Sequence, residues 1–186
     1  MLDRVDMDPY LGPFVGVPAK ENGFDIEGLA VAPDGRVFLG LRGPVLRGWA
    51  VILDLSLARH GATSLAFART PAYRRHFLDL AGLGVRDLLW HGSDLVILAG
   101  PTMDLDGPVH ILRWRDALSA EADSVVGAGP RIETILEVPY GRGCDHAEGI
   151  ALVDDGRLLV VYDLPCDLRL DGGKTSIVAD LFDLRL

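Results

Sequence analysis

"FDIEGLAVAPDGRVFLGLRGP" (residues 24–44) recurs later in the chain as "DHAEGIALVDDGRLLVVYDLP" (residues 145–165). The alignment runs without a gap from residues 14–44 onto 135–165. Val17-Pro18 falls on Val138-Pro139, Glu27-Gly28 on Glu148-Gly149, Asp34-Gly35-Arg36 on Asp155-Gly156-Arg157, and Pro44 on Pro165. An ungapped run that shares so many turn residues marks an internal repeat. A degenerate copy, "VRDLLWHGSDLVILAGP" (residues 85–101), lies between them, with Arg86-Asp87 in place of Glu-Gly. The repeats therefore start near residues 27, 86 and 148, a period of roughly 60 residues.

Each repeat opens with two apolar runs joined by a turn. Asp-Gly between such runs is a β-hairpin signature, because glycine supplies the positive φ that the turn demands. Two more strand-like runs follow in the first unit (50–57 and 76–82) and in the second (108–114 and 131–139). One remains in the third unit (175–186), and the run at 10–18 aligns with the last strand of the second. The pattern predicts an all-β, β-propeller-like single domain over residues 1–186, with about three four-stranded antiparallel blades. Segments 58–72 and 115–130 make these blades long, and the composition of the second predicts a short helix. Complete propellers have about four to eight blades. A three-blade arc predicts a longer chain, an open stack, or self-association in which the unfinished third blade and the orphan strand at 10–18 pair with a partner's edges.

Composition narrows the function. The 27 acidic residues outweigh 18 basic ones, a net charge of −9, which argues against nucleic acid or an anionic membrane as partner. No apolar run approaches the ~20 residues of a membrane span, and "MLDRVDMDPY" lacks the regions of a secretory signal, so the expected location is cytoplasmic. Serine-hydrolase, P-loop and zincin motifs are absent. The two cysteines, Cys144 and Cys166, fit no zinc-finger spacing. They flank one hairpin within disulfide reach, although a cytoplasmic pair stays reduced.

The loops before each first strand and after each second strand share one face. Folding the first hairpin about Asp34-Gly35 sets Glu27 opposite Arg42, and a type I turn with a bulge there shifts the pairing by one residue. The same arithmetic sets Glu148 near Asp163, where two carboxylates call for a cation between them. The face also carries Arg86, Asp87, Asp104, Asp106, Asp145, His146, Asp167 and Asp171. The candidate ligand-binding residues are Glu27, Arg42, Arg86, Asp87, His146, Glu148 and Asp163. Of these, Glu27, Glu148 and Asp163 are the candidate metal ligands, for the oxygen-seeking ions Ca²⁺ or Mg²⁺. Arg42 has the planar fork that suits a carboxylate or phosphate. The Asp-Gly-Arg segments read as turns only.

Residues 18–50, through "ENGFDIEGLA" and "GLRGPVLRGWA", closely resemble a bacterial family known as domain of unknown function 3616. The shared motif falls on Asn22, Gly23, Asp25, Glu27, Gly28, Leu41, Arg42, Gly43 and Pro44. The hairpin resembles the esterase-like phytase propellers more distantly. The first resemblance implies a β-propeller without an assigned role, and a chain that corresponds to the C-terminal part of a longer architecture. The second carries over no catalytic residue. Together these readings predict a small-molecule site using a divalent cation, with ester or phosphoester hydrolysis as its chemistry. The alternative is a non-catalytic binding or protein-interaction scaffold.

Overall fold

A computed structural model describes residues 5–68, 72–103, 105–153, 156–173 and 175–184. Among them every regular element is a β-strand or a single 3-10 turn. The chain is all-β and forms several separate sheets, none of them closed.

The first repeat folds as predicted into an antiparallel meander. It comprises β1 (Asp25–Val31), β2 (Val37–Gly43), β3 (Trp49–Leu55) and, after an insertion, β6 (Tyr73–Asp79). The insertion is an excursion of two short strands, β4 (Leu57–His60) and β5 (Ser64–Phe67), that pair only with each other. The second repeat supplies β7 (Gly84–His91), β8 (Asp94–Gly100), β9 (Val109–Trp114) and β11 (Ile132–Val138) in the same order. The third supplies β12 (His146–Val153), β13 (Arg157–Asp163) and β14 (Asp180–Asp183).

Two segments depart from expectation. Within 115–130 a 3-10 turn at Ala117–Ser119 stands where a helix was predicted, followed by β10 (Ser124–Val126). That strand leaves its own repeat and pairs in parallel with β6, making the first sheet five-stranded. Arg36 explains the capture. It reaches out of the Asp34–Gly35 turn to Asp54 (2.8 Å) and to the carbonyls of Leu118 (2.5 Å) and Ala120 (2.8 Å). Arg74 joins Asp54 and the Ala120 carbonyl from β6. The first Asp-Gly-Arg segment is thus more than a turn; Asp155 of the second lies outside the described residues.

The run at 10–18 is not a strand. Pro13 and Pro18 remove the donors that a ladder needs, and the segment forms 3-10 turns at Gly12–Phe14 and Ala19–Glu21. It covers one face of the first sheet, where Leu11 and Val5 join Leu39, Leu41 and Leu53 in a core. Buried Asp8 fixes it by accepting from Tyr73 Oη (2.9 Å) and the Leu11 amide (3.1 Å).

The other face of the first sheet packs on the second sheet, with Phe38, Ile52 and Leu78 meeting Val85, Leu95 and Ile97. The second sheet packs in turn on the third, with Val96, Leu98 and Ile111 meeting Leu158, Val160 and Tyr162. The first hairpin packs closely on β7, because Gly28 of β1 and Gly40 of β2 leave no Cβ. One at Gly28 would lie 2.9 Å from Val85 and Leu88, and one at Gly40 2.3 Å from Val85. Among the described residues no helix is long and apolar enough to cross a membrane.

Candidate functional site

The β1–β2 turn shifts the simple pairing by one residue, setting Val31 opposite Val37. Farther along β1 the register slips again. Ile26 faces Leu41 and Gly28 faces Gly40, so Glu27 is an extra, unpaired residue. The same slip recurs at Arg86, between the pairs Val85–Ala99 and Asp87–Leu98. It recurs a third time at Glu148, between Ala147–Tyr162 and Gly149–Val161. A β-bulge re-aims a side chain, and bulges concentrate near functional sites. Here three equivalent bulges, one per repeat, bring Glu27, Arg86 and Glu148 to one place.

Arg86 lies between the two carboxylates. One guanidinium nitrogen binds Glu148 Oε1 and stands 3.5 Å from Glu27 Oε2, while the other donates to the Pro101 carbonyl at 2.9 Å. Arg42 meets Glu27 at 2.8 Å, as the hairpin arithmetic predicts, and also Asp25 at 2.6 Å. Glu148 and Asp163, expected near one another, line one cavity but are not strand partners. The bulge sets His146 opposite Asp163 and turns Glu148 toward Arg86. The positive charge between Glu27 and Glu148 is therefore a guanidinium.

These groups line a cavity of about 420 Å³. Glu27, Arg42, Arg86, His146, Glu148 and Asp163 all reach it, whereas Asp87 does not. Asp87 accepts the amides of Leu88 and Ile150, both at 2.8 Å, and so ties the second sheet to the third. Burial pushes its carboxyl above the ordinary range. Asp106 accepts the Gly143 amide (2.9 Å) and faces His146 Nε2 at 3.2 Å. Asp171 caps its own loop through Thr175 and Ser176, and Asp167 begins a 3-10 turn. Asp104 lies outside the described residues. The remaining walls are Met103 and Leu105, from the loop after β8, and Lys20 and Leu164, which lie within the aligned repeats at positions where the two copies differ.

Burial is the largest influence on Glu27 and raises its carboxyl to about 7. Arg86 and Arg42 oppose the rise, while Glu148 and Asp25 add to it. Glu27 Oε2, Arg42 Nε and Arg86 Nε are buried without a hydrogen-bond partner among the described residues. The site thus combines two guanidinium groups, a carboxyl poised near neutrality and unspent hydrogen-bonding capacity.

A second polar relay has hydrolase-like composition but not hydrolase-like access. His76 Nδ1 is 2.8 Å from Ser124 Oγ, and His76 Nε2 is 3.7 Å from Asp54. His76 and Asp54 are wholly buried, with His76 stacked on Phe38 and edge-on to Trp114. The relay joins β3, β6 and β10, with His76 and Asp54 sealed in the core and Ser124 half-buried at its outer end.

The model for the family described as "Protein of unknown function (DUF3616)" matches residues 1–180. The chain belongs to the DUF3616 family. No curated protein and no solved structure matches it. The motif that carries the resemblance supplies one side of the cavity: Asp25, Glu27 and Arg42 form ion pairs there, and Arg86 and Glu148 form another from outside the motif. Asn22 braces it, accepting the Val45 amide at 2.8 Å.

Proposed function

We propose that this DUF3616 chain is an open, propeller-like domain that binds a small anionic molecule in the cavity between its first strands. Three meanders in one strand order, each packed on the next, support the propeller reading. The observation that carries the ligand reading is the convergence of three equivalent bulges on one pocket. Arg42 and Arg86 offer forks suited to a carboxylate or phosphate. Glu27 accepts or releases a proton near neutral pH, which suits general acid–base work on an ester or phosphoester. Arg86 already provides the charge between Glu27 and Glu148, which favours direct recognition over a Ca²⁺ or Mg²⁺ bridge.

Calorimetric titration with inorganic phosphate, small dicarboxylates, Ca²⁺ and Mg²⁺ tests these readings together. We expect anion binding that weakens about tenfold or more in Arg42→Gln, the loss of one charge-assisted contact. Wild type that binds no anion at millimolar concentration would sink the reading. Binding that requires the metal would restore the cation bridge. Turnover of ester and phosphoester substrates, abolished in Glu27→Gln, would establish hydrolysis.

The alternative, a protein-interaction scaffold, draws on the outward face of the third sheet. Val161 and Leu181 are each 45% exposed there, and Ala151 beside them is exposed too. Self-association through this face is the corresponding partner proposal. A concentration-independent monomer by light scattering would count against it.

A further inference from the structure

Cys144, Asp145 and Cys166 lie beside the anion pocket without lining it, at the base of the β12–β13 hairpin. The sulfurs of both cysteines and a carboxylate oxygen of Asp145 all fall within 4.8 Å of one another. All three residues are half-buried, and both thiols are free. We infer that these three residues form a binding site for a thiophilic divalent metal ion, with Zn²⁺ the ion that best fits them.

The backbone gathers the three donors. The pairing of His146 with Asp163 sets the loop before β12 beside the loop after β13. The Asp145 amide then donates to the Leu164 carbonyl at 2.9 Å, and the Cys166 amide to Asp145 Oδ1 at 2.9 Å. Asp145 and Leu164 both hold positive φ, 56° and 47°, which non-glycine residues adopt at a cost. Gly141 lets Cys144 lie against the backbone, because a Cβ there would sit 2.7 Å from its sulfur. Two independent loops thus spend backbone strain to hold a common arrangement.

The donor types choose the metal. Two sulfurs and one carboxylate oxygen match the ligand set of zinc, whose bonds to sulfur and oxygen are about 2.3 and 2.0–2.2 Å. Donors mutually within 4.8 Å can surround such an ion with small side-chain shifts. Ca²⁺ and Mg²⁺ prefer oxygen-only shells and are disfavoured here. Arg169 stands behind the carboxylate, with Nε 3.0 Å from Asp145 Oδ1 and a second nitrogen 2.8 Å from Asp180. Partners of this kind hold a ligating carboxylate in orientation. Three protein ligands leave a fourth tetrahedral position for water or another small donor.

The test uses the full chain, fully reduced. Co²⁺ is added as a spectroscopic probe, Zn²⁺ is then titrated against it, and the reaction of both thiols with an alkylating reagent is timed with and without Zn²⁺. We expect a cobalt–thiolate charge-transfer band, displacement by one Zn²⁺ per chain, and alkylation slowed at least tenfold. Affinity should fall on the order of 100-fold in Cys144→Ser or Cys166→Ser, and about tenfold in Asp145→Asn. Wild type that gives no thiolate band and no protection would overturn the inference, whatever the variants do. So would Zn²⁺ binding that survives unchanged in the double serine variant. The Glu27→Gln/Glu148→Gln variant should retain the site, separating this inference from the anion pocket.

Discussion

The hairpins β1–β2 and β12–β13 share a sequence pattern, a bulge and, inward from that bulge, a register, yet they live in different surroundings. Phe38 of the first is wholly buried and Ala30 nearly so. Their counterparts in the third repeat, Leu159 and Ala151, are half-buried and exposed. The reason is the neighbours. The first sheet is covered on one face by residues of the N-terminal segment and on the other by the second sheet. The third sheet packs on the second alone, and among the described residues no core cluster forms on its outward side. A repeated pattern therefore specifies a hairpin, while burial depends on what the chain stacks against it.

The widest test of this contrast compares Phe38→Ala with Leu159→Ala. Emptying the Phe38 site should cost about 3–5 kcal/mol, the usual range for a buried aromatic in a packed core. The aligned Leu159 truncation should cost about 1 kcal/mol or less, because little of its environment is packed. Urea midpoints, with the slope unchanged, provide the measurement. Equal losses would mean that the third sheet's outward face is covered in solution, and would favour self-association there.

The two hairpins also differ in charge, since Arg42 in one corresponds to Asp163 in the other. Glu27 consequently has two guanidinium neighbours, whereas Arg86 is the cation bound to Glu148. Arg86→Met should therefore leave two carboxylates facing each other across a half-buried site. A loss of about 3 kcal/mol is expected at pH 8, in line with other broken buried pairs. The loss should shrink at pH 5, where Glu27 takes up a proton. A loss that does not vary with pH would mean that Arg86 matters through packing alone.

Much of this arrangement is legible in the sequence, and the exceptions share a cause. The Asp34-Gly35 turn and the Glu-Gly dipeptides identify the inner hairpins because turn chemistry is local. Counting outward from that turn names Glu27 and Arg42 as partners, and they do pair, although register shifts leave both residues outside the strand ladder. Counting fails at Glu148 because the residue it names, Asp163, offers no positive charge, and the Glu148 carboxylate pairs instead with Arg86, 62 residues away in sequence. Strand β10 has three residues and no alternation to read, and its pairing with β6 depends on Arg36, more than 80 residues from the carbonyls it grips. The pocket's loop walls, Lys20, Met103, Leu105 and Leu164, meet only in three dimensions. The segment at 10–18 aligned with a strand by its apolar residues, but its prolines decide its conformation.

The smallest expected effect concerns Glu27 itself. Its carboxyl is raised from an ordinary value of 4.5 to about 7, chiefly by burial. Between those values the folded chain holds more protons than the unfolded chain, so stability should fall as the pH rises through this window. The full shift would correspond to about 3 kcal/mol. Because the side chain retains 23% exposure, screening should reduce the observed change to about 1–2 kcal/mol. Glu27→Gln removes the titrating proton, so its stability curve should lack this fall while other groups titrate as before. The difference between the two curves, from urea melts at pH 4.5 to 8, isolates the Glu27 contribution. Glu148→Gln provides the comparison across repeats, since Glu148 ends in a direct ion pair with Arg86 and its removal should instead weaken the chain at neutral pH. If both substitutions flatten the same part of the curve, the fall does not belong to Glu27 alone, and the asymmetry between the repeats lies in their sheets rather than in their charges.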